Sequence, residues 1–150
     1  MQQMLEMIDP AKKQLQVGDI NTKGADTWTA LHYAANEGHG DILEALVEKC
    51  IDIEARTHQQ RTVLHLAAAR GHTDICRFLC DQPLVSPNAI DYEGNTPLHL
   101  ASLQGQLQVI KFLLGEAHVD HTIKNLVGYL AYDMAYNNDV QTMLNALISN

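Results

Sequence analysis

Between Gly94 and Gly105 the apolar positions Leu98, Leu100 and Ala101 mark one face of a short helix whose two ends are both written into the sequence. Thr96 is placed to cap the first turn by accepting a hydrogen bond from a free N–H. Pro97 falls at the first helical position, where its missing N–H costs nothing, and Gly105 ends the helix in a left-handed conformation. A helix of roughly two to three turns cannot bury such a face by itself. The same pattern recurs over Thr29–Gly38 and Thr62–Gly71, and the three histidines His32, His65 and His99 are spaced by 33 and 34 residues. A period this regular predicts a stack of supersecondary units, each covering the next.

A second helix follows each of these. Over Asp41–Lys49, Ile42, Leu43, Leu46 and Val47 share one face while Asp41, Glu44 and Glu48 share the other. Asp74–Cys80 is its counterpart in the next unit, and Leu107–Leu114 is apolar on several sides, which predicts neighbours on both flanks. The 34-residue spacing requires one additional residue, and Pro83 and Pro87 place it in the loop after the Asp74–Cys80 helix. The last unit departs from the pattern, with Leu130, Asp133 and Asp139 aligned to Thr96, His99 and Gly105. Its final helix keeps one apolar stripe of Val140, Met143, Leu144 and Leu147, with Gln141, Thr142 and Asn145 towards solvent, as expected of a C-terminal cap. At the other end Met4, Leu5, Met7 and Ile8 follow helical spacing, Asp9-Pro10 opens a short helix, and Lys12, Lys13, Gln14 and Gln16 give an N-terminal cap its polar outer side.

The Thr-Pro-Leu-His-Leu-Ala run at Thr96–Ala101, with a glycine six residues after the histidine, resembles the ankyrin repeat. The resemblance covers about residues 19–147 and rests on three copies that agree in motif and spacing. It implies an all-α solenoid of paired antiparallel helices joined by β-hairpin-like turns, acting as a non-catalytic module that binds other proteins. The expected layout is one domain, 1–150, with an N-terminal cap over 1–22, repeats over 23–57, 58–90 and 91–124, and a C-terminal capping repeat over 125–150. Thr27 and Gln60 stand where the third repeat has Gly94. A threonine at positive φ is unfavourable, so the first turn conflicts with the geometry its motif demands.

Composition narrows the classes. A net charge of −8, from 18 acidic and 10 basic residues without a basic cluster, argues against nucleic acid and anionic membrane surfaces. No apolar run approaches the roughly 18–20 residues of a membrane span. The first residues lack the order of a signal peptide, so a cytoplasmic or nuclear protein is expected. Three cysteines, Cys50, Cys76 and Cys80, are an odd number without framework spacing and read as reduced thiols.

Candidate chemistry is sparse. His32, His65 and His99 each follow a capping threonine by three residues, where the ring can bond the hydroxyl or the neighbouring turn. His72, Cys76 and Cys80 fall at i, i+4 and i+8, a spacing open to zinc, but Cys76 and Cys80 align with Ile110 and Leu114 and read better as core residues. His118-Val119-Asp120-His121 carries the same low weight. No nucleophile motif or phosphate-cradling loop is present, so the expectation is no enzyme, no cofactor and no metal.

The resemblance implies a concave face made of turn tips and the exposed side of each first helix. By motif position Ala25, Asp26, Trp28, Asn36 and Glu37 come from the first repeat, and Arg61 and Arg70 from the second. The third adds Tyr92, Glu93, Asn95, Leu103 and Gln104, and the fourth Leu126, Val127, Tyr129, Asn137 and Asn138. Trp, Tyr and Arg are residue types enriched at binding hot spots. Arg61 and Arg70 predict a groove that draws a carboxylate-bearing segment, and charge reversal at both is expected to spare the fold. The function expected is that of a monomeric module binding a partner protein through this face, with regulation or inhibition of a partner enzyme as one form of it. The alternative is a recognition domain of a longer enzyme or channel whose catalytic part lies outside this chain.

Overall fold

A computed structural model describes residues 27–49 and 51–149. The expected N-terminal cap, Ala25, Asp26 and Cys50 lie outside the described residues. Among those described are seven α-helices, one 3₁₀ helix and no strand. The pairs are α1 (Ala30–Glu37) with α2 (Gly40–Glu48), α3 (Val63–Arg70) with α4 (Thr73–Cys80), and α5 (Pro97–Gln104) with α6 (Leu107–Gly115). The 3₁₀ helix Ala131–Met134 and α7 (Asn138–Ser149) complete the stack.

The threonines cap the first helices as their positions predict. Thr29, Thr62 and Thr96 each accept the backbone N–H of the histidine three residues on, and each histidine ring accepts the backbone N–H of its threonine. Gly38, Gly71 and Gly105 close these helices at φ of 81°, 80° and 72°. A residue of the next repeat covers each closing glycine. A Cβ on Gly38 would stand 2.7 Å from the His72 ring, one on Gly71 2.5 Å from Gln106, and one on Gly105 3.2 Å from the Tyr136 ring. The same covering residues reach back to the preceding helix end. His72 Nε2 bonds the Asn36 carbonyl at 2.9 Å, Gln106 Nε2 donates to Ala69 at 2.9 Å, and the Tyr136 N–H donates to Ser102 at 2.9 Å.

The main packing runs between neighbours. α1, α3, α5 and the 3₁₀ helix lie side by side in one row, and α4, α6 and α7 in a second. Sandwiched between α3 and the 3₁₀ helix, α5 is buried over Pro97–Ser102 on every side. The core runs the length of the stack through Leu31, Leu64 and Leu98 of the first helices and Leu43, Leu79, Leu113 and Leu144 of the second. Removing such a leucine side chain costs about 2–5 kcal/mol.

The additional residue lies in the loop over 81–90: the second helices of the first two repeats begin 33 residues apart, at Gly40 and Thr73, whereas the turns at Thr57 and Asp91 stand 34 apart. Thr27 and Gln60 do adopt positive φ, at 67° and 63°, like Gly94 at 80°. Stacking therefore overrides the residue preference in both turns.

The fourth unit has only a 3₁₀ helix where the others have two turns of α-helix. Leu130 has no hydroxyl with which to cap, and Asp133 replaces the histidine by accepting the Leu130 N–H at 2.9 Å. Asn137 then caps α7 through the Val140 N–H. Val140 and Leu144 are buried beneath that helix, Met143 and Leu147 are half-buried, and Thr142 and Asn145 are exposed.

Candidate protein-binding surface

Three β-turns, 57–60, 91–94 and 125–128, form the tips, each closed by an N–H to carbonyl bond between its ends. The first residue of each turn anchors it from inside. Asp91 Oδ1 accepts the N–H groups of Glu93 and Asn95, and Asn125 Oδ1 those of Val127 and Tyr129. Adjacent tips are tied directly, Tyr92 N–H to the Gln59 carbonyl and Leu126 N–H to the Glu93 carbonyl, both at 3.0 Å. Beneath the tips, Arg61 Nε pairs with Asp91 Oδ2 at 3.2 Å, and Asn125 Nδ2 donates to Asn95 Oδ1 at 2.9 Å. One register therefore serves both junctions, and the tips form a continuous rigid edge.

The histidines reinforce it. Nε2 of His32, His65 and His99 bonds the carbonyls of Ala55, Asn95 and Tyr129 at 3.0, 2.8 and 2.9 Å. A carbonyl can only accept, so Nε2 carries the proton, while Nδ1 accepts from the threonine N–H. The ring is thereby held neutral. Burial pushes the His65 pKa down to about 4 and lowers that of His99 as well. His65 and His99 join one repeat to the next, and His32 ties its helix to the Ala55 carbonyl later in the first repeat.

The sequence-predicted residues divide. Tyr92, Tyr129, Glu37, Arg70 and Gln104 are exposed. Trp28 is half-buried, with its ring 5.0 Å from that of Tyr33 and 6.2 Å from that of His32. Asn36 is half-buried and donates to Glu37 Oε2 at 2.9 Å. Asn95 does not belong to an exposed surface. It is 4% exposed, and its side chain, N–H and carbonyl serve Asn125, Asp91 and His65. Arg61 is not the free cation its motif position predicts, because the buried Asp91 carboxylate holds it. Reversing its charge would set two carboxylates together, so charge reversal there does not spare the fold.

Two exposed aromatic residues escape the motif reading. Tyr33 takes the place that Leu66 and Leu100 hold in the later repeats, yet stands 47% exposed. A tyrosine in an otherwise aliphatic column was the signal. Tyr136 aligns with a buried helix position, Ser102, but emerges because the 3₁₀ helix stops at Met134.

The remaining candidate chemistry is committed to structure. Burial raises the thiol of Cys76 to about 12 and that of Cys80 to about 11, which favours the protonated thiol in both. Asp120 accepts from the N–H and hydroxyl of Thr122. No three His, Cys, Asp or Glu side chains converge among the described residues. An open cleft of about 860 Å³ lies between the connections at Gly38–Gly40 and Gly71–Thr73, lined in part by Ile42, Asp41, Glu44 and Asp74.

A stack of helix pairs, three of them capped by threonine and histidine, presenting a row of tied turn tips, defines the class: a helical solenoid repeat protein. The sequence model of the family described as Ankyrin repeats (3 copies) matches residues 5–89 and 52–125. The chain belongs to the ankyrin-repeat family. A search of curated proteins found no match. Ankyrin repeats are in general protein–protein interaction modules and typically non-catalytic.

Proposed function

We propose that this chain is a non-catalytic protein-binding module that seats its partner on the face formed by the turn tips and first helices. The observation that carries the reading is the set of large apolar side chains left exposed on adjoining tips, Tyr92, Leu126, Val127 and Tyr129, on a backbone already fixed by hydrogen bonds. Exposed apolar patches on a soluble surface mark interaction sites, and a preorganised face spends little on ordering when it binds. A module of this kind regulates a partner, an enzyme among them, by covering part of its surface. We take it to act as a monomer in the cytoplasm or nucleus, where thiols such as Cys76 and Cys80 stay reduced.

Capture from a cell lysate tests the reading. Tyr92→Ala with Arg70→Glu changes one tip and one first-helix end, both exposed; Glu44→Lys with Lys111→Glu changes exposed positions on the second helices. The first pair should lose the captured protein and the second should keep it. The opposite result contradicts the surface assignment.

A further inference from the structure

The tips differ along the stack. The second repeat presents His58 and Gln59, whereas the third presents Tyr92 and Glu93 and the fourth Leu126 and Val127, with Tyr129 close behind. Leu126 and Val127 are the most exposed large apolar side chains among the described residues, at 77% and 72%. Their turn has no slack to hide them. Asn125 holds the N–H groups of Val127 and Tyr129, Leu126 N–H is bonded to Glu93, and the backbone of Leu126 lies so close to Gly94 that a Cβ there would stand 2.8 Å away.

The charge at this row is negative. Glu93 is exposed between Tyr92 and the Leu126–Val127 turn, and its carboxylate makes no ion pair or hydrogen bond among the described residues. On the second-repeat side, Arg61 is bound to Asp91 beneath the tips. Lys124 precedes the turn at the position held by Arg56 in the second repeat, whose guanidinium donates to the Gln60 and Ile90 carbonyls. The whole chain carries −8.

We propose that the row Tyr92, Glu93, Leu126, Val127 and Tyr129 takes a peptide segment of a partner protein in which an aliphatic or aromatic side chain stands beside a lysine or arginine. This rests on the protein-binding reading above and gives it a chemistry. The apolar side chain covers Leu126 and Val127, and the cation meets Glu93, whose charge repels acidic segments. The sign is opposite to the one that Arg61 and Arg70 predict from sequence: Arg61 is paired with Asp91, and the charged side chain of this row is Glu93.

The test is selection of a displayed random peptide library on the full chain, followed by anisotropy titration of the enriched peptides. Enriched sequences should pair an apolar residue with Lys or Arg. Leu126→Ser with Val127→Ser should abolish binding, and Glu93→Lys should weaken it by about tenfold or more. All three positions are exposed, and a melting curve checks that the variants fold. Enrichment of acidic or purely polar peptides overturns the proposal while leaving a protein-binding face in place. Peptides that bind Leu126→Ser with Val127→Ser undiminished but are lost with Glu44→Lys and Lys111→Glu overturn the face as well. A dimer in sedimentation that the Leu126 and Val127 changes dissolve makes the row a contact between copies, and no enrichment at all leaves it without this function; either result rejects the proposal.

Discussion

Gln60 holds φ at +63°, a conformation that costs an L-residue roughly 1–2 kcal/mol. Gly94 and Gly128 occupy the same turn position at no such cost. Gln60→Gly should therefore stabilise the protein by about 0.5–1 kcal/mol once the greater freedom of glycine in the unfolded chain is counted, read as a higher urea midpoint. Gly71→Ala should act the other way, by about 2–3 kcal/mol, since it combines φ of +80° with a Cβ driven into the Gln106 amide that bonds Ala69. A neutral Gly71→Ala would mean that the covering residue is not seated there. At this scale the sequence was legible where a residue acts within its own turn, as Thr96 and Gly105 do. Arg61 and Asn95 were misread because their partners, Asp91 and Asn125, lie 30 residues on and meet them only through the register of the stack.

The first helices of the second and third repeats are each fastened to the next repeat by one neutral histidine, His65 and His99, which ties the stability of these elements to pH. The folded pKa of His65 lies near 4, against 6.5 unperturbed, so the unfolded chain takes up the proton first as pH falls. Its contribution is complete above about pH 6.5 and is lost between there and pH 4, about 3 kcal/mol in all. His99, lowered in the same direction, adds to the trend. The urea midpoint should fall steeply from pH 7 to pH 4.5, and His65→Gln should lower stability at pH 7 while flattening that slope. An unchanged slope would show that His65 is not held neutral. The helices themselves were legible from caps and apolar spacing. The 3₁₀ helix Ala131–Met134 was not, because Leu130 has no hydroxyl to cap with and Asp133 no ring Nε2 to reach another turn, two bonds whose loss periodicity does not display.

For the whole molecule, the repeat period disclosed the stack, since neighbouring units must cover one another's apolar faces. The surface was only partly legible. Motif position names Tyr92, Leu126, Val127 and Tyr129, but exposure and charge depend on which side chains the stack consumes: it buries Asn95, binds Arg61 and brings out Tyr33 and Tyr136. The central claim is that the edge of tied tips and first helices meets the partner. Amide hydrogen exchange of the full chain, alone and with its captured partner, tests this directly. Added protection is predicted over 58–61, 91–95 and 125–130 and at the ends of α3 and α5, with α4, α6 and α7 unchanged. Protection confined to α4, α6 and α7 would contradict the account.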